Sequence, residues 1–294
     1  MVLLSCRAGG MAPVSSCRRG VFLKNSVASA IFMPFAARAE EADKDLLGPK
    51  VLSALRLFEE GKFAESLTQW RALTALYPKE ALLWSNRGTA ELILGSSLAK
   101  LGVVPTGQSK DILLSALESF ENAEALGESD SISLNNRGNV YLVFQNWNKA
   151  AECYDRAMRA GQKEKTSVSI PSENRALVAM ELGDLIDAQK RIETLLRRDP
   201  NFLDGKALLA AVKFKNGDTN GAEQSFAQLC RPAVSSPNQF QNTPGIGGTD
   251  FCELYSNPNF VLDRWTPTAV QAFSDFLKSR DKNARIIADT NPFN

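Results

Sequence analysis

The sequence predicts an all-α protein: about five helix pairs in series, closed by a C-terminal helix. Three observations carry this reading. Small residues recur on a step of 34, as from Ala54 to Gly88 and from Ala176 to Ala210. Within an uninterrupted copy a second small residue follows 12 positions later, as from Gly138 to Ala150. Four positions after that stands a large apolar residue: Trp70, Phe120, Tyr154, Ile192 and Phe226. Two antiparallel helices approach closely only where small side chains meet at the crossing. A residue four positions on lies one turn away on the same buried face.

The elements follow in order across residues 47–230. The first series of small residues is Ala54, Gly88, Gly138, Ala176 and Ala210; the second is Ser66, Ala116, Ala150, Ala188 and Ala222. They place copies at about 47–80, 81–130, 131–164, 169–202 and 203–232. Gly61, Gly95, Gly183 and Gly217 are assigned to the turn inside a pair. Pro78 and Pro200 close their copies, because proline cannot continue a helix. Gly88 to Gly138 is 50 rather than 34, so the second copy holds 16 extra residues, Ser96–Asp111, "SSLAKLGVVPTGQSKD". The first half of this insertion is expected to prolong the first helix by two turns. Pro105 and Gly107 then turn the chain and Ser109 caps the next helix. Two readings of the insertion stand: a tolerated loop, or a lip that adds partner specificity.

Residues 231–264 begin rich in Pro, Gly, Ser, Asn and Gln and read as an irregular linker. "GIGG" within it lacks the context of a phosphate loop and reads as a turn. Thr266 as cap and Pro267 in the first turn open a helix over 265–281, with Val270, Phe273, Phe276 and Leu277 on one face. It covers the last repeat, as a solenoid end requires, or docks a partner. Residues 282–294 are a tail.

The second copy carries Trp84, Gly88, Ala116, Phe120 and Ala123, and the third Leu134, Gly138, Tyr141, Ala150, Tyr154 and Ala157. On these residues the chain resembles the tetratricopeptide repeat family, and Ala188 and Ala222 continue the signature. The resemblance implies a right-handed α-solenoid whose first helices line a concave groove, where a peptide or helix of a protein partner binds. Asn86, Asn136 and Asn174 share one register and, with Asn139, are the candidate groove residues. An amide donates and accepts, so it can pair with any peptide backbone. The competing reading is a local hydrogen bond within the repeats. Leu82 and Ile132 stand where chaperone-binding members of the family carry cations, so chaperone C-terminal tails are not the expected ligand. Arg87, Arg137 and Arg175 follow each Asn and read as edge or inter-repeat salt-bridge residues rather than anion binders.

Composition narrows the function. The chain of 294 residues has no histidine, which removes Ser-His and Cys-His nucleophile pairs and His-based metal sites. No catalytic motif is present, and no cofactor or metal is expected. Residues 1–39 hold Arg7, Arg18, Arg19, Lys24 and Arg38 and no acid, leaving 29 basic against 33 acidic residues beyond them. A mildly acidic body has no nucleic-acid footprint. The apolar run Val27–Ala37 is too short to span a bilayer and ends in Ala37-Arg38-Ala39, a cleavage pattern. The mature chain is therefore expected to have no transmembrane segment.

The acid-free start and the Arg18-Arg19 pair together resemble a bipartite thylakoid-lumen signal, although "RRGVFLK" is one residue longer than the usual spacing. The C-terminal arrangement likewise resembles that of plant and algal chloroplast repeat proteins. These likenesses imply a chloroplast location in the thylakoid lumen, with peripheral contact to a membrane complex; a mitochondrion or a secretory or periplasmic space is the alternative. Cys230 and Cys252 bracket the linker, and in an oxidising lumen their pairing would tie the cap to the last repeat. Cys153 reads as a small apolar packing residue. The functional expectation is a non-catalytic scaffold for a protein partner, an assembly or maintenance factor for a photosynthetic complex. The alternatives are an adaptor of another compartment and the regulatory subunit of an enzyme.

Overall fold

The computed structural model describes residues 44–99, 102–230, 251–262 and 264–290. The segment 1–39 expected to be a targeting signal, the linker stretch 231–250 and residues 291–294 of the tail lie outside the described residues. Among the described residues there are twelve α-helices, one 3-10 helix and no strand. The chain forms two compact units that divide at Pro171.

The first unit contains α1 (Lys44–Glu59), α2 (Phe63–Leu76), α3 (Ala81–Leu98), α4 (Gly107–Ala125), α5 (Ser131–Val143) and α6 (Trp147–Glu164). Each helix packs on the next, and α3 also packs on α5. The small-residue crossings are visible atom by atom. Ser66 donates its hydroxyl to the Ala54 carbonyl at 2.8 Å, joining two buried residues 12 apart. A Cβ at Gly88 would sit 3.0 Å from the Phe120 ring, and one at Gly138 would sit 2.6 Å from the Tyr154 ring. The glycines let the aromatic of the second helix rest on the backbone of the first.

Turns inside the pairs follow local rules. Gly61, Gly183 and Gly217 have φ of 78°, 78° and 86°, the left-handed region glycine tolerates best. Four residues before the second small residue of the later copies stands a capping side chain. Asn146, Asp184 and Asp218 accept from the backbone N–H of Lys149, Asp187 and Gly221. In the third copy the left-handed position is filled by Gln145.

The insertion extends both helices of its pair at their shared turn: α3 runs to Leu98, ten residues past Gly88, and α4 begins at Gly107, nine before Ala116, whereas α5 ends five past Gly138 and α6 begins three before Ala150. This corrects the expectation for Gly95, which lies inside α3 rather than at a turn. A Cβ there would meet Leu113 at 2.7 Å, so Gly95 is a further close-contact point of the longer pair. Ser109 does not cap α4. Residue Thr106 precedes the helix, and the Ser109 hydroxyl donates to the Gly95 carbonyl at 2.8 Å, tying the two helices together.

The second unit contains α7 (Ser169–Glu181, from Ser172 onward), α8 (Leu185–Arg198), α9 (Leu203–Lys215), α10 (Thr219–Ala227), α11 (Phe251–Ser256), a 3-10 turn (Pro258–Val261) and α12 (Pro267–Thr290). Its core joins Ala188, Ile192, Ala210 and Ala222 to Phe226, Trp265, Phe273 and Phe276. Here α12 packs on α9, and Arg280 lies 4.4 Å above the Phe226 ring while bonding Glu223. The linker expected over 231–264 contains α11 and the 3-10 turn, and the helix expected to end at 281 runs to Thr290. Within the expected linker the reason is aromatic: Tyr255, Phe260 and Trp265 find apolar partners that order the chain around them. The Thr266 hydroxyl is buried without a hydrogen bond among the described residues. The start of α12 is capped instead by Glu181 of α7, which accepts from the Thr268 N–H and hydroxyl, both at 2.8 Å. Cys230 and Cys252 form a disulfide, while Cys153 is buried and free.

Candidate functional site

The register of small residues puts Asn86 on α3 and Asn136 and Asn139 on α5, neighbouring first helices of the first unit. Asn86 is half-buried and makes no side-chain hydrogen bond among the described residues. Asn136 is only 2% exposed, and its amide donates to the Thr89 hydroxyl at 3.2 Å. Ser85 and Ser133 meet beside it at 3.0 Å, so a seam of small polar side chains joins α3 to α5. The amide expected to face a ligand is spent on holding two repeats together, because a buried amide left unpaired is costly. Asn139 accepts the Tyr154 hydroxyl at 2.8 Å and so fixes the aromatic that rests on Gly138. Asn174 is half-buried on α7, in the second unit. Of the candidate asparagines of the first unit, Asn86 is the one whose amide is half-buried with no side-chain hydrogen bond among the described residues.

The arginines behave as salt-bridge residues. Arg87 donates to Glu91 at 3.1 Å and lies 5.1 Å from the Trp84 ring, whose N–H donates to the Pro78 carbonyl. Arg137 bonds Glu124 at 2.6 Å and Glu121 at 3.1 Å, and Arg156 also pairs with Glu124. Burial works to raise the Glu124 carboxyl, but the hydrogen bonds and charges of Arg156 and Arg137 prevail and hold it below its usual range. Arg175 pairs with Asp187 at 3.6 Å.

Two clusters were not anticipated from the sequence. Glu91 is 0% exposed at the heart of the first unit. It accepts from Arg87, from Arg71 at 3.5 Å, and from the Ser115 and Ser119 hydroxyls at 2.7 Å each. A carboxylate can sit there because donors from three helices surround it. The second cluster lies in the C-terminal unit. Asp204 accepts from the Tyr255 hydroxyl at 2.5 Å and from Arg264 at 2.8 Å, and the Trp265 indole donates to buried Glu173 at 3.1 Å. Burial, then the Asp204 charge, pushes the Glu173 carboxyl well above its ordinary value, against the pull of Arg264 and Trp265. Burial likewise raises the Tyr255 phenol. Beside this cluster is a cavity of about 340 Å³ walled by Phe202, Phe251, Leu254 and Phe260, with Asp204 and Arg264 at its polar end. The stretch "FCELYSNPNFVLDRW" holds four aromatic residues, a density that could have marked it as packed rather than as linker.

Among the described residues no helix is long and apolar enough to cross a membrane, and no group of three or more His, Cys, Asp or Glu side chains could hold a metal ion.

The tetratricopeptide repeat family model matches residues 51–98 and 174–237. The fold is that of a tetratricopeptide repeat array. Solved structures agree at the level of fold. A tetratricopeptide repeat protein from Parabacteroides merdae is 15% identical with a TM-score of 0.52, covering 92% of this chain and 90% of its own. PilW, a widely conserved type IV pilus biogenesis factor, is 15% identical with a TM-score of 0.52, covering 80% and 94%. The pilF protein of Pseudomonas aeruginosa is 15% identical with a TM-score of 0.51, covering 84% and 94%. No curated protein matches the chain. In the repeat array the signature residues Ala116, Phe120, Tyr141, Ala150, Tyr154, Ala188 and Ala222 are all buried, and Trp84 is half-buried. They are packing residues.

Proposed function

We propose that the chain is a non-catalytic scaffold that binds a protein partner, a peptide or helix, on the faces of its first helices. The observation that carries this reading is the repeat array itself, matched by the tetratricopeptide repeat family in both units. Such arrays are generally scaffolds for protein–protein interaction, because stacked helix pairs present an extended surface with little chemistry of its own. Asn86 is the residue of the first unit assigned to contact the partner backbone.

The compartment we assign is the thylakoid lumen of a chloroplast, and the role is assembly or maintenance of a photosynthetic complex. The support is the acid-free, Arg-bearing segment 1–39 with its short apolar run and Ala37-Arg38-Ala39 ending. Capture from isolated thylakoids with residues 40–294 as bait is the test. Recovery of a lumenal or membrane-complex protein is the expected result, and recovery of none removes the assignment. Imaging a fluorescent fusion of residues 1–60 separates the plastid from a mitochondrial or secretory destination.

A further inference from the structure

The disulfide and the C-terminal cavity meet on one six-residue helix, α11. From it Phe251 and Leu254 line the cavity, Tyr255 bonds Asp204 of α9, and Cys252 is joined to Cys230 just beyond α10. A helix this short does not hold itself together in water, so its place depends on these anchors. Cys230 is exposed and Cys252 half-buried, so a reductant can reach the bond. Exposed disulfides are the labile kind.

We infer that the Cys230–Cys252 disulfide is a redox-operated latch on this cavity. Oxidised, it pins α11 and completes the aromatic wall; reduced, it releases α11 from α9, and Phe251 and Leu254 leave the cavity. The reductant is a protein dithiol of the Cys-x-x-Cys class. One of its thiolates attacks the exposed Cys230 sulfur, the S–S bond breaks, and Cys252 departs as a thiolate that takes a proton. The second thiol of the reductant resolves the mixed disulfide and frees Cys230 as a thiol. Two electrons pass to the chain and the reductant ends as a disulfide.

The opening is local, because α12 and its approach have anchors of their own that do not run through α11. The Glu181 cap on Thr268, the Trp265 bond to Glu173 and the packing of Phe273 and Phe276 all act through α12 and its approach. The cysteines are separated by 22 residues. Removing a crosslink of that span shifts a closed-to-open equilibrium by on the order of 10²-fold.

Hydrogen exchange on the full chain, read by mass spectrometry before and after reduction, tests this. Dithiothreitol and reduced thioredoxin are the two reductants. With either, amides of residues 251–262 should exchange roughly 10²-fold faster, while those of 131–143 and 269–277 keep their protection. The double variant Cys230→Ser/Cys252→Ser should behave as the reduced chain, and Cys153→Ser as the oxidised one. Unchanged exchange at 251–262 with both thiols shown free by alkylation would overturn the inference. So would equal loss of protection at 269–277, or a bond that reduced thioredoxin leaves intact.

Discussion

Gly138→Ala isolates the close contact on which the repeat geometry depends. In a helix interior alanine is favoured over glycine by about 1 kcal/mol, so propensity alone predicts a gain. The structure predicts a loss. The added Cβ would lie 2.6, 2.8 and 3.0 Å from three carbons of the Tyr154 ring. That ring is fully buried, and its hydroxyl is held by Asn139 at 2.8 Å. It cannot swing aside without opening the α5–α6 crossing. Overpacking of this kind costs about 1–3 kcal/mol, and a strained Tyr154–Asn139 bond forfeits up to about 1 kcal/mol more. After the propensity gain, the net expectation is a destabilisation of about 2 kcal/mol, or about 4–8 °C in Tm for a domain of this size. Thermal and urea unfolding followed by circular dichroism measure it. In a Tyr154→Leu background the same glycine-to-alanine change should lose most of its effect, because the ring is then gone. A Gly138→Ala protein as stable as the parent, or a loss undiminished in the Tyr154→Leu background, would refute the close-contact argument.

Glu91→Gln leaves Arg87 without its buried partner. Because Arg71 and Arg87 still reach water, the loss should fall near the lower end for broken buried pairs, about 3 kcal/mol by urea unfolding. Glu173 has a folded-state pKa raised above its unfolded value of 4.5, so its neutral form is favoured by folding. The stability it contributes is full below pH 4.5 and is lost as pH rises toward the folded value. Glu173→Gln should flatten that fall in the urea midpoint of the C-terminal unit above pH 4.5. Glu124 has the opposite sign, stabilising above its usual range and losing that contribution as pH falls. Asn86→Ala should weaken partner capture with stability unchanged. Asn136→Ala should cost about 1 kcal/mol, because the buried Thr89 hydroxyl loses its donor, with capture falling only as far as folding does.

What was legible in the sequence was whatever the chain repeats. The 34-residue step, the glycine of the turn and the large apolar residue one turn past the second small one recur from copy to copy. Each is a local or near-local requirement of helix pairing, so the same residue type returns at the same offset. Contacts made once leave no such trace. Asn136 and Asn86 occupy the same register, yet Thr89 lies opposite Asn136 and turns it from a surface amide into an inter-repeat bond. Gly95 fits a turn by position, but the insertion extends both helices past it and makes it a crossing point.

The C-terminal cluster shows the limit most clearly. Tyr255 meets Asp204 across 51 positions, Glu181 caps Thr268 across 87, and Trp265 bonds Glu173 across 92. The order of residues was enough to specify an all-α chain of paired helices, the place of its small residues and the two cysteines free to pair. Which amide is buried, where the charges of Glu91 and Glu173 are housed and which helix walls the cavity emerged only once the helices were packed. Those outcomes depend on burial and on partners distant in sequence, and neither is encoded in any local pattern of residues.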